Sequence, residues 1–143
     1  MPENSNPSYF KDGAINPELV TTQAKAWADR FVPAQGDRQS GPKQGRKINS
    51  AQLRRFYNDV KNLEMRWQNS TDKPRAFREI LPMIKLLKAR AAYANKRTLV
   101  PDSFRDWIWE NIDMINNEQD FRAFLLYFEA VVGFCYGNGL GDN

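Results

Sequence analysis

Phe121, Phe124, Phe128, Val131 and Cys135 follow one another at intervals of three, four, three and four residues, with Leu125 and Val132 beside them and Tyr127 and Phe134 on another face. That spacing is the α-helical period, and apolar groups around much of the circumference predict a helix buried at the centre of a bundle. Asn117, with Asp120 three residues later, opens this helix by capping its free N–H groups. Gly137, Gly139 and Gly141 close it and predict a C-terminal tail over residues 137–143. The run GNGLG lacks the following helix that a phosphate-binding loop needs, so it reads as a cap. A Phe-rich stripe of this kind is core.

The same period recurs upstream. Asn16 before Pro17 starts a helix to about Val32, with Val20, Ala24, Trp27 and Phe31 on one face and Pro33 closing it. Asn49 and Gln52 resemble a capping box opening a second helix to about Gln68, whose face is Leu53, Phe56, Tyr57, Val60, Leu63 and Trp67. Arg54 and Lys61 share one flank of that face, and Arg55 and Arg66 the other. A rival reading pairs Lys61 and Arg66 with Glu64 or Asp59 as ordinary surface residues. Asp72 and Pro74 start a third helical region, which Pro82 should kink or break near Leu81. Val100–Pro101 ends it, and Asp102 or Ser103 caps a fourth helix with Phe104, Trp107, Ile108 and Ile115 inward and Trp109 off that stripe. No stretch alternates over five residues between turn signals, so no strand is expected. The fold class is all-α: a compact bundle of about five helices forming one domain over residues 1–143, with residues 1–15 a loose arm on which Tyr9 and Phe10 could still dock.

Leu81–Arg97, LPMIKLLKARAAYANKR, carries two distinct stripes. Ile80, Ile84, Leu87, Ala91 and Ala94 have the spacing of a buried face, whereas Leu86, Arg90, Tyr93 and Arg97 place an aromatic ring between two guanidinium groups. Lys85, Lys88 and Lys96 flank them, with no acid in the stretch. An unneutralised basic face around an aromatic suits a polyanion with exposed bases; Tyr93 tucked against a neighbouring helix is the alternative. Gly36–Lys47, GDRQSGPKQGRK, has no large apolar residue and a net charge of +3, which predicts a mobile basic loop able to follow a phosphate backbone through Lys43, Arg46 and Lys47. Its charge could equally serve solubility alone.

Charge is segregated along the chain: the net is −1 over residues 1–35, +11 over 36–97 and −6 over 98–143. Such asymmetry suggests a nucleic-acid face in the basic part and a protein-facing or self-associating acidic part, unless the two patches meet within the fold. With no histidine and one cysteine, His-dependent triads, His–Cys zinc sites and disulfide scaffolds are excluded. Asp106, Glu110 and Asp113 have the spacing of a solvated face. A mean hydropathy of −0.69 and short apolar runs exclude a membrane helix, and MPENSNPSYF has neither the basic nor the apolar region of a secretory signal, so a cytoplasmic location is expected. No cofactor, metal or small-molecule substrate is indicated.

Three segments together resemble a known family. LLKARAAYANKR (Leu86–Arg97) is similar to the central helix of the small subunit of type III-A CRISPR–Cas (Csm) effector complexes, FLLYFEAVVGF (Phe124–Phe134) to its C-terminal helix, and INSAQLRRFYNDV (Ile48–Val60) to its opening helix. They occur in the family's order. Lys96 stands where many members have glycine before the arginine, Ala94 replaces an acidic residue, and the helix at Asn16–Val32 has no clear counterpart. The resemblance implies a non-catalytic subunit, several copies of which stack in a filament inside a crRNA-guided complex and hold target RNA or the guide–target duplex while other subunits cut. It maps the family's basic positions onto Arg54, Lys88, Arg90 and Arg97, and retains Tyr93. Arg55, Lys61, Lys43, Arg46 and Lys47 join them as RNA-binding candidates from charge pattern alone. Base pairing would supply sequence choice, so phosphate contacts without base readout suffice.

Three alternatives fit parts of the sequence. The small subunit of the related type III-B complex predicts the same chemistry. A helix-turn-helix DNA-binding regulator needs a recognition helix richer in Asn, Gln or Ser than Leu86–Arg97. A helical protein-interaction adaptor would use the acidic helices and Trp109.

Overall fold

The computed structural model describes residues 9–33 and 47–141. Its helices are α1 (Thr22–Phe31), α2 (Ser50–Gln68), α3 (Lys73–Lys85), α4 (Leu87–Lys96), α5 (Asp102–Met114) and α6 (Glu118–Gly137). The bundle expected from the apolar spacing is present. Asn49 caps α2, its side-chain oxygen accepting from the Gln52 N–H at 3.0 Å. Asp72 caps α3 through the Arg75 N–H at 3.2 Å, and Asn117 caps α6 through the Asp120 N–H at 2.8 Å. Each carboxylate or amide oxygen satisfies a donor that the first helical turn leaves free.

Helix α6 is the centre of the core. Phe121, Phe124, Phe128, Val131 and Cys135 are all buried, as are Leu125 and Tyr127. Trp107 of α5 packs against three of its rings, with centroids 5.7 Å from Phe124, 5.2 Å from Tyr127 and 5.3 Å from Phe128. Ile80, Ile84, Leu87, Ala91 and Ala94 form the buried stripe that their spacing predicts.

Burial pushes the Cys135 thiol up to about 12 from an ordinary value of 9.0. The sign follows from linkage. As pH rises past about 9 the unfolded thiol ionises while the folded one keeps its proton, so stability falls by at most about 1.4 kcal/mol per pH unit until the folded value is reached. The native thiol should therefore resist an aromatic disulfide reagent at pH 8 and react at once after denaturation. Rapid labelling of the folded protein would contradict its burial.

Five local expectations change. Residues 9–15, within the arm expected to be loose and strand-free, form a two-stranded hairpin: β1 (Phe10–Lys11) pairs antiparallel with β2 (Ala14–Ile15), Phe10 opposite Ile15. Asp12 and Gly13 turn it with φ of 54° and 81°, the left-handed pair that hairpin twist demands and that Asp-Gly supplies. Tyr9 is fully buried, its hydroxyl donating to Asn111 Oδ1 at 2.6 Å. The first helix is interrupted. Asn16 caps a 3-10 turn at Pro17–Val20, and the chain then breaks at Thr21, whose hydroxyl donates to the Pro17 carbonyl at 3.0 Å.

Pro82 lies inside α3, and the break comes one turn later, at Leu86. Proline removes its own N–H, but the Leu86 N–H still reaches the Pro82 carbonyl at 3.0 Å, so the turn after the proline closes. Both Ile84 and Leu87, on either side of the break, stay in the core. Neither Asp102 nor Ser103 caps α5. Pro101 holds that position, and Asp102 instead accepts from Asn95 Nδ2 at 2.9 Å across the connecting loop. At the C-terminal end Gly139, with φ of 101°, turns the chain back so that the Leu140 N–H meets the Cys135 carbonyl at 3.1 Å and Leu140 is buried. That part of the expected tail is a packed cap.

Candidate nucleic-acid interface

The second stripe of the α4 region faces outward. Leu86 is 49% and Tyr93 66% exposed, so Tyr93 does not pack against a neighbouring helix. Its ring carries the Arg97 guanidinium over one face at 5.6 Å. Helix α2 contributes its Arg55 flank, and residues of the two helices line an open groove of about 600 Å³. Arg55, Arg90 and Arg97 line it together with Tyr93, above a floor that includes Phe56, Ala94 and Leu99.

Two groove residues escape the sequence reading. Gln52 and Asp59 also line it, and Asp59 Oδ2 accepts from Arg90 Nη1 at 2.5 Å. Asp59 lies four residues after Arg55 on the same flank of α2, which was a signal for its position. Its partner, 31 residues away, had none. With both groups partly exposed, such a pair contributes about 1 kcal/mol or less, and Arg90 can exchange its carboxylate for another anion at little cost.

The remaining candidate cations lie elsewhere. Lys88 turns from the groove toward α5, where Nζ meets Asp113 Oδ1 at 2.7 Å and lies 4.9 Å from the centre of the Trp109 ring. The Trp109 indole N–H donates to the Lys88 carbonyl at 2.9 Å, which accounts for its place off the core stripe. Arg54 sits on the other flank of α2 and donates to the Tyr136 hydroxyl at 3.3 Å. The Tyr136 hydroxyl is held below its ordinary pKa by hydrogen bonds from Ser50 and then Arg54. Lys61 shares that flank and pairs with Glu64 at 2.5 Å, as the rival reading has it, and this hydrogen bond raises its pKa. Lys47 is half-buried just before α2, while Lys43, Arg46 and most of the basic loop lie outside the described residues.

The structure thus gathers Arg55, Arg90, Arg97 and Tyr93 into one concave surface and leaves Arg54 and Lys61 on the other flank of α2. Lys88–Asp113 joins the basic part of the chain to its acidic part. The groove can hold phosphate oxygens by guanidinium and stack a ring on Tyr93. Among the described residues no group of acidic, His or Cys side chains is arranged to hold a metal ion, and no helix is long and apolar enough to cross a membrane.

Among protein families, the one described as Csm2 Type III-A matches residues 18–136. No curated protein and no solved structure matches the chain.

Proposed function

Since the chain belongs to the Csm2 Type III-A family and is therefore a small subunit of a type III-A CRISPR–Cas effector complex, we propose that it serves there as a non-catalytic holder of target RNA or guide–target duplex. Several copies stack, and each contributes sequence-independent contacts to the nucleic-acid backbone in the cytoplasm. The observation that carries this reading is the α2/α4 groove, with three guanidinium groups around an exposed tyrosine. Arginine binds phosphate whatever the base, which suits a subunit whose sequence choice is made by pairing with a guide. Asp59 holds Arg90 in the groove through a partly exposed pair that another acceptor can replace at little cost.

Fluorescence anisotropy of the full chain with single-stranded RNAs of unrelated sequence but equal guanine content tests the reading. With about four phosphates neutralised per copy, affinity should fall roughly 50-fold between 50 and 200 mM salt, and alike for each RNA to within about fivefold. A strong preference among gross sequences would favour a base-reading regulator. No binding at low salt would make the basic face a protein-docking surface.

A further inference from the structure

The α2/α4 groove holds one group that a surface built only for phosphates would lack. Asp59 lies among Arg55, Arg90 and Arg97, and a carboxylate there repels phosphate oxygens. As a tie between α2 and α4 its bond to Arg90 adds little, because the two side chains are 53% and 31% exposed. We propose that the groove is a seat for one unpaired guanine nucleotide. The inference rests on the groove facing nucleic acid, and adds a ligand class to it.

A groove of about 600 Å³ lies in the range that encloses small ligands. The base stacks on Tyr93, whose ring is open apart from the Arg97 guanidinium. Guanine is the one common RNA base whose Watson–Crick edge sets two donors side by side, N1–H and N2–H, and an ionised carboxylate accepts both. Adenine and cytosine put an acceptor beside their donor, and uracil flanks its donor with two carbonyls, so each turns a lone pair toward Asp59. The adjoining Hoogsteen edge of guanine, O6 and N7, accepts from arginine in the pairing most used for this base, and Arg55 and Arg90 line the same groove, Arg90 already bonded to Asp59. Arg97 remains for the phosphate. Because the Watson–Crick edge is used, the nucleotide is unpaired, in a single strand or as a free mononucleotide.

Amide chemical shifts of the full isotope-labelled chain, titrated separately with GMP, AMP, CMP and UMP, test the seat. GMP should shift groove amides with an affinity about tenfold or more above the other three. Asp59→Asn should erase that preference, and Tyr93→Ala should weaken all four, with thermal melting to confirm that each variant folds. Equal affinities of wild type for the four nucleotides, no shifts in the groove, or a tighter grip by Asp59→Asn on all four alike would overturn the proposal; the first two need no variant. Oligouridylate with and without one central guanine, single-stranded and annealed, separates the sources. A guanine preference confined to the single strand assigns the seat to a strand, and GMP preference without it assigns the free nucleotide. A duplex that shows the preference equally overturns the proposal. Salt-dependent binding of oligouridylate itself tests the underlying holding function, so the two readings fail separately.

Discussion

Arg55→Glu/Arg90→Glu/Arg97→Glu should lower the affinity of the full chain for single-stranded RNA about 100-fold or more at moderate salt. All three cations described in the lining of the α2/α4 groove are reversed while Asp59 stays, so the local field changes sign. Each lost phosphate contact also removes about 0.7 from the slope of log affinity against log salt, which should shrink by about 2. All three arginines are exposed, and the partners of Arg90 and Arg97, Asp59 and Tyr93, are themselves not buried. The far-ultraviolet circular dichroism should therefore be unchanged. Arg54→Glu/Lys61→Glu, on the opposite flank of α2, should cost less than about fivefold. If the flank pair costs as much as the groove triple, the nucleic acid lies along α2 and α6 instead.

Trp107→Ala should have the largest effect on stability. The ring is fully buried, and it touches Phe31 and Phe104 at centroid distances of 5.8 and 6.1 Å as well as the three rings of α6. Removing it forfeits apolar burial and the edge-on ring contacts and leaves a cavity that rigid neighbours cannot fill, at a cost of about 3–5 kcal/mol. Against a total of roughly 5–15 kcal/mol, that is a large share. The melting temperature should drop by roughly 10–15 °C. Trp109→Ala, whose ring is 42% exposed, should lose only a few degrees. Equal losses for the two tryptophans would contradict the packing described for α5.

The helices were legible because their signals are local. Asn49 and Gln52, Asp72 and Arg75, and Asn117 and Asp120 are three residues apart, the distance over which a cap acts. The buried stripes were equally plain, since Ile80, Ile84 and Leu87 or Phe121, Phe124 and Phe128 repeat at the helical period. The Asp12–Gly13 hairpin also has a local signal, but its strands of two residues are too short for alternation to register. The break at Leu86 in place of Leu81 was harder. A proline disturbs the carbonyl four residues before it, and where the axis then bends depends on what Ile84 and Leu87 pack against.

The groove was only half legible. Arg90, Tyr93 and Arg97 share a stripe that spacing reveals. Arg55 was one of several cations on α2, and nothing local distinguishes it from Arg54; the approach of α4 to one flank does. Lys88 shows the converse. It belongs to the basic stretch, yet a carboxylate 25 residues away, Asp113, draws its ammonium group to the other side of α4. Charge pattern finds cations, and long-range packing decides which of them share a surface.

Photo-crosslinking of the full chain to RNA carrying 4-thiouridine, followed by mass spectrometry of the joined peptides, addresses the central claim most directly. Tyr93 offers an exposed ring in the groove, so the crosslinks should fall on it and on the Gln52–Asp59 stretch of α2, and should vanish in Arg55→Glu/Arg90→Glu/Arg97→Glu. Crosslinks confined to the acidic face of α5, around Asp106 and Glu110, would contradict the groove as the nucleic-acid surface.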